Sequence, residues 1–259
     1  MAHRALMGLR NNLIRNNMQN IEQRFKYLLI LDFEATCEKF IKINPQEIIE
    51  FPCVAISTQD WQIKDVFHEY VKPRFRPNLT PFCSELTGIV QEMIDDKAYF
   101  PEIMKQFITW IERGKYFEDI NKSAFVTCGD WDLKTMLPSQ CETEELIVPN
   151  YCFEWINLKK IFCDVIKVYP HGIIDMLARL NIPQIGRLHS GIDDVKNMIN
   201  IIESLGRNYN TKFDITSGIH HKNFPIYQDK IQNNTKRQVN NTKEYRFKKQ
   251  GWITKMAEI

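Results

Sequence analysis

The sequence predicts an α/β domain, one mixed sheet flanked by helices. Near the N-terminus three strand-like runs follow one another over linkers too short to hold a helix, which makes an antiparallel meander. After them, segments with helical spacing alternate with short apolar runs, the pattern of helices laid against a sheet. The core can be large: 44% of the 259 residues are hydrophobic and 12% aromatic, while 25% charged residues is ordinary.

The first strand lies in LLILDFEATCE, Leu28 to Glu38, where a short apolar run bounded by polar residues reads as buried. Residues two apart on a strand share a face, so Asp32 and Glu34 project side by side. EIIEFPCVAIST, Glu47 to Thr58, reads as the second strand. The alternating DVFHEYVKP, Asp65 to Pro73, reads as the third, ended by Lys72-Pro73. RPNLTPFCSELTGIVQEMID is turn-rich and leads to short helices, with Pro81 near one start and Gly88 breaking the run. Phe100, Ile103, Met104, Phe107, Ile108 and Ile111 are spaced for an amphipathic helix that stops at Gly114.

Ser123 to Cys128 is a further strand-like run, broken at Gly129, and Asp130 to Leu137 begins a helix before Pro138. EWINLKKIFCDVI and GIIDMLARLNI read as two helices. IGRLHSGIDDVKNMINIIESLG is a loop entering another, with Val195, Met198, Ile199 and Ile202 on one face. The expected organisation is a basic N-terminal helix or leader over 1–26, a folded domain over 27–206 and a basic, largely irregular tail over 207–259, where Asn, Lys, Gln and Thr accumulate. The first 21 residues carry Arg4, Arg10 and Arg15 but little Ser, so a mitochondrial presequence is the lesser reading of that segment.

Charge is unevenly spread. Residues 1–27 hold five basic and one acidic side chain, 221–259 nine and three, and the stretch between 20 and 28, a core of net −8 with basic ends. Such a chain suits a metal-dependent centre whose ends grip a polyanion, although basic tails are common on other proteins. The seven cysteines form no CxxC pair and read as reduced thiols of an intracellular protein, cytoplasmic or nuclear, not as a zinc site or disulfide framework. No apolar run approaches the length of a membrane span, so no membrane partner is expected.

Two carboxylates side by side on a buried strand repel each other, and burial disfavours each charge further. Either a hard cation sits between Asp32 and Glu34, or one carries a proton, or both lie at a solvated strand end. Two more acidic sites follow. Asp130 and Asp132 in CGDWDL stand at a strand-to-helix junction. In HSGIDD, His189 precedes Asp194 by five positions across a helix start, where Asp193 and Asp194 also read as plain first-turn acids. His189 alone reads as a surface histidine as readily as a catalytic one.

Together, DFEAT, GDWDL and HSGIDD match in order and spacing the three motifs of the DEDDh exonucleases. With IIEFP, LTPFCSELTGI, FVTCGDWDLKTMLP, WINLKK and GRLHSGIDDVKN, the chain resembles the Eri-type 3′–5′ exonucleases over about Tyr27 to Leu205. Within that branch it looks like the short snipper-like and prion-interacting exoribonuclease type. The resemblance implies a ribonuclease H-like fold, a five-stranded mixed sheet with three antiparallel strands and two alongside. It implies Asp32, Glu34, Asp132 and Asp194 as ligands of two Mg²⁺ or Mn²⁺ ions, with Asp132 and not Asp130 chosen because Trp131 fills the aromatic place before it. His189 matches the histidine that activates water, with Glu34 beside it in catalysis. Glu34, Ala35, Leu86, Thr87 and His189 match contacts to the terminal nucleotide. Leu188 departs from the family, where Pro or Ala often precedes the histidine.

The expected function is release of nucleoside 5′-monophosphates from RNA 3′ ends, with DNA 3′ ends also accepted, and no obligate protein partner. A catalytically silent nucleic-acid-binding or scaffold protein on the same fold, and a proofreading-type DNA exonuclease, are the alternatives. The branch's histone-message-binding member carries an N-terminal nucleic-acid module; about 26 residues precede the domain here, so that module is not expected. GRLHSG lacks the Gly-Lys-Ser/Thr ending of a nucleotide-binding P-loop.

Overall fold

β1 (Tyr27–Leu31) is buried from Leu28 onward and pairs on both sides, antiparallel with β3 (Ile48–Ser57) and parallel with β5 (Ser123–Thr127). The structure, a computed structural model, describes residues 21–118 and 122–219. Of the expected leader over 1–26, residues 1–20 lie outside the described residues, as does the expected tail beyond 219. β3 also pairs antiparallel with β4 (Ile63–Tyr70), and β5 pairs parallel with β6 (Glu154–Asn157). These five strands are the expected mixed sheet. Two strands of two residues extend it: β2 (Glu34–Ala35) on β3 and β7 (Ser217–Gly218) on β6, giving seven.

Helices cover both faces, which is why the strands read as continuous apolar runs. On one face Leu28, Ile30, Val54, Ile56 and Val126 pack with Met198, Ile201, Ile202 and Leu205 of α6 (Gly191–Tyr209). The same layer holds α4 (Leu158–Ile166) and α5 (Ile173–Leu180). On the other face α2 (Phe100–Gly114) sets Phe107 against Phe51 at 4.5 Å and Phe67 at 5.2 Å. α1 (Pro81–Thr87) starts on a Thr80 cap and ends at Gly88, whose φ of 77° lies in the left-handed region that glycine tolerates.

Three expectations change, and one is extended. The first strand does not run on through Asp32 to Glu34: β1 stops at Leu31 and β2 begins at Glu34. β3 faces that gap with Phe51 and Pro52, and proline has no N–H to give a ladder. The helix that begins before Pro138 runs on through it into α3 (Leu137–Thr143), because the wide turn Asp132–Met136 precedes it. Its bond runs from the Leu137 N–H to the Asp132 carbonyl, a widening that relieves the ring's clash with the preceding turn. EWIN is the strand β6, and the helix begins only after Asn157, whose side chain caps it through the Lys159 and Lys160 N–H groups. Packed chain also runs beyond residue 206: α6 reaches Tyr209, Phe213 is buried against Trp61, and Ser217–Gly218 pairs with β6.

Candidate active site

The break after β1 is where the site begins. Asp32 steps off the ladder, and Phe33 turns inward against Phe51, ring centroids 4.7 Å apart. The Phe33 N–H, freed from the sheet, donates to Asp132 Oδ1 at 2.9 Å. One hydrogen bond thereby ties the first acidic segment to the wide turn that opens the helix after β5. Glu34 on β2 is 9% exposed, Asp132 4% and Asp194 3%. Asp194 comes from the first turn of α6, and its Oδ2 accepts the His189 N–H at 2.9 Å. That bond holds His189 in a left-handed backbone, φ 61°, with its ring exposed. One ligand atom each of Glu34, His189 and Asp194 lie within 4.8 Å of one another.

Four carboxylates so placed suppress one another's ionisation. Burial, then the charges of Asp132, Glu34, Asp194 and Glu50, push Asp32 well above the usual carboxylate range. Burial and the charges of Glu50, Asp194 and Asp132 raise Glu34 to about 9. Burial raises Asp132 to about 6 against the opposing Phe33 N–H, and raises Asp194 to about 6 against the opposing His189 N–H. Asp194 Oδ1 is buried with no hydrogen-bond partner. An orphaned carboxylate oxygen among three further acids fits a hard divalent cation, the charge that would remove the repulsion.

A cleft of about 620 Å³ is lined by Asp32, His189 and Asp194 of the centre, by Leu188, and by His171 to Asp175 at the start of α5. Of the other expected contacts, Ala35 is buried in β2 and its carbonyl accepts the Cys83 thiol at 3.8 Å. Leu86 is half-buried at the end of α1. Thr87 is buried at the end of α1, and its hydroxyl donates to the Cys83 carbonyl at 2.8 Å and accepts the Ile89 N–H at 3.1 Å.

Asp130 stands apart from the centre. It accepts Trp155 Nε1 at 3.0 Å, Asn157 Nδ2 at 2.7 Å and the Ser217 hydroxyl at 2.7 Å, with Lys160 at 3.7 Å. Its burial works against ionisation, but those bonds and the lysine charge hold it below its ordinary value.

Two residues that matter here carried no signal of their own in the sequence. Glu50, opposite Glu34 in the β2–β3 register, is 1% exposed and caps α6 from outside. Its carboxylate accepts the Gly191 N–H at 2.9 Å and the Ile192 N–H at 3.2 Å, and meets His68 Nε2 at 2.8 Å. Gly191 must be glycine for space, because a Cβ there would lie 2.7 Å from the Asp32 carbonyl oxygen. Arg187 ties the His189 loop to α1, its guanidinium donating to the Glu85 and Leu86 carbonyls. Neither link could be found without the fold, since Glu50 reaches across 141 residues and Arg187 across 102.

The sequence profile of a family described as "Exonuclease" matches residues 29–202. The crystal structure of the nuclease domain of 3′hExo, a DEDDh family member, bound to rAMP, superposes with a TM-score of 0.72 at 33% identity, covering 75% of this chain and 98% of that one. The chain belongs to the DEDDh exonuclease family. Within it the Eri-type branch is supported. The human protein named "ERI1 exoribonuclease 3" is 47% identical over 184 residues, 71% of this chain and 54% of that protein. The human "3'-5' exoribonuclease 1" is 38% identical over 184 residues, 68% and 51% respectively. The chain thus spans about half the length of these curated relatives. Among the described residues no helix is long and apolar enough to cross a membrane.

Proposed function

We propose that this chain removes nucleoside 5′-monophosphates one at a time from the 3′ end of RNA by metal-dependent hydrolysis, with DNA 3′ ends as a second class of substrate. The observation that carries this reading is the convergence of Glu34, His189 and Asp194 within 4.8 Å, with Asp32 and Asp132 beside them. The names of the relatives, exoribonucleases, and the nucleotide in the 3′hExo nuclease domain support the same class.

In this reading Asp32, Glu34, Asp132 and Asp194 hold two Mg²⁺ or Mn²⁺ ions. Bound there, such ions supply the positive charge that steadies the attacking and leaving oxygens of a phosphodiester. The chain's own residues do the rest. His189, an exposed imidazole beside two of the acids, accepts the proton of the attacking water. Asp194 holds the backbone of that histidine, so ring position and ligand position are set by one side chain. Ala35 and Leu86 border the terminal nucleotide. Water attacks phosphorus and gives its proton to His189, the bond to the 3′ oxygen breaks, and that oxygen takes a proton from solvent, so the shortened strand leaves with a new 3′-hydroxyl.

A degradation time course with 3′- and 5′-labelled RNA and DNA, in Mg²⁺, Mn²⁺ or EDTA, tests the class. The 3′ label should leave at once as a mononucleotide, the 5′ label should shorten stepwise, and EDTA should stop both. Release of the 5′ label first would sink the reading. His189→Ala should lower turnover by roughly 10²- to 10⁴-fold while metal and strand binding persist; near wild-type turnover at pH 7 would remove His189 from the chemistry.

A further inference from the structure

Two loops run side by side: 37–47, which follows Glu34 and Ala35 between β2 and β3, and 74–80 between β4 and α1. They are stitched together at both ends. The Thr80 hydroxyl donates to the Cys37 carbonyl at 2.9 Å and accepts the Cys83 N–H at 3.0 Å, which starts α1. At the other end the Glu47 carboxylate, 1% exposed, accepts the consecutive N–H groups of Arg74, Phe75 and Arg76, the last two at 3.0 and 2.8 Å. Glu47 is in turn fixed to Thr36, two residues from Glu34, by its own N–H at 3.0 Å and its carbonyl at 2.8 Å. The result is a ledge running from the acids to α1.

Most exposed side chains on this ledge are apolar, with Ile41 70% exposed beside two phenylalanines, or cationic. Phe40 is 88% exposed, more than any other large hydrophobic residue described, and Phe75 is 50% exposed. The Lys39 ammonium lies 5.4 Å from the Phe40 ring centre. Arg74 is already engaged, stacked 4.4 Å over Tyr99 and paired with Glu144 at 3.3 Å. Among the described residues Lys42 and Arg76, both exposed, enter no ion pair. Besides the buried Glu47, the loops carry one acid, Glu38, whose carboxylate accepts the Lys39 N–H at 2.7 Å. Open aromatic faces among unpaired cations are what a single strand meets when it is held without regard to sequence: bases stack and phosphates are neutralised. A purely apolar protein interface would not carry the cations.

We propose that this ledge holds the single-stranded RNA just 5′ of the nucleotide in the acidic centre, with Phe40 and Phe75 stacking on bases and Lys42 and Arg76 meeting phosphates. The proposal rests on the exonuclease reading above. It assigns the ledge to affinity for longer strands and leaves the chemical step to the acids and His189.

The test compares initial rates on a single-stranded RNA decamer and on a dinucleotide for the wild type, Phe40→Ala/Phe75→Ala and Lys42→Glu/Arg76→Glu. For the decamer, KM should rise about tenfold or more in each double variant, with kcat nearly unchanged. The charge variant should also show a shallower dependence of decamer KM on salt. Dinucleotide KM should not move. An unchanged decamer KM overturns the proposal and leaves the ledge to a protein partner. A parallel rise for the dinucleotide overturns it too, by placing the effect in the acidic centre. Decamer binding in EDTA, read by fluorescence anisotropy, separates the same outcomes even for a chain that cleaves nothing, and dinucleotide cleavage by the wild type tests the exonuclease reading separately.

Discussion

Asp130 and Asp132 stand two residues apart where β5 gives way to a helix, yet their surroundings are opposite. Asp130 takes three hydrogen bonds on one oxygen and a lysine near the other, and is held in its charged form. Asp132 has the Phe33 N–H and little else, and burial raises it to about 6. The contrast extends across the molecule. Glu47 and Glu50 are each 1% exposed and surrounded by donors, whereas Glu34 and Asp194 face other acids, one Asp194 oxygen having no partner. A carboxylate that builds the fold has its lone pairs filled by N–H groups; one kept for a cation does not.

The sharpest test of that division is the pair Asp130→Asn and Asp132→Asn. Both keep volume and remove one charge. Asp132→Asn should cut turnover by about 10³-fold or more, with stability unchanged or slightly raised because repulsion is relieved. Asp130→Asn should leave turnover within a few-fold and lose about 1–2 kcal/mol of stability, since an amide cannot accept everything that carboxylate accepts. Single-turnover rates and urea unfolding decide it. The reverse pattern would mean that hydrogen-bond satisfaction does not separate the two roles.

Glu50 lies on the boundary, satisfied like a structural acid yet facing Glu34. Glu50→Ala leaves the Gly191 and Ile192 N–H groups without their acceptor at the joint that carries His189 and Asp194. It should lose about 1–3 kcal/mol and lower kcat roughly 10- to 100-fold with KM little changed, because a small shift of that joint misplaces both residues. Glu50→Gln, which keeps an acceptor, should recover most of kcat. Equal losses in both variants would mean that the charge itself, and not the cap, is what the site uses.

What was legible from sequence follows the same line. The meander, the Phe107 helix and the α6 face showed because apolar spacing is local. The acids and His189 stand out as candidates beside a helix start or strand end, but the resemblance to the exonuclease motifs is what joins them into one set and chooses Asp132 over Asp130; the structure brings all five together. Glu50 and Glu47 did not show: a buried structural acid is defined by donors supplied from remote segments. EWIN resembles helix in sequence because a short apolar run has no decisive period, although Asn157 before Leu158-Lys159-Lys160 carries a cap signal. The chain past 206 looked irregular because its anchors are single residues, Phe213 and Ser217, set in polar sequence.

The smallest expected effect concerns pH. In metal-free protein Asp132 and Asp194 move from an ordinary 3.8 to about 6, and Glu34 from 4.5 to about 9. Between those values the folded chain binds more protons than the unfolded one, so stability present below the ordinary pKa values is lost as pH rises through the raised ones. Tm in EDTA should therefore fall from about pH 5 to about pH 8. Divalent cation should raise Tm more at the upper pH, where it no longer competes with bound protons. Asp130 shifts the other way, and its contribution is lost only as pH falls below its ordinary 3.8, outside this window. Asp132→Asn should accordingly flatten the slope and Asp130→Asn should leave it as it is. A Tm that climbs with pH in EDTA would show that the acidic centre is not under strain in the empty fold, and the distinction between its acids and the structural ones would then need another cause.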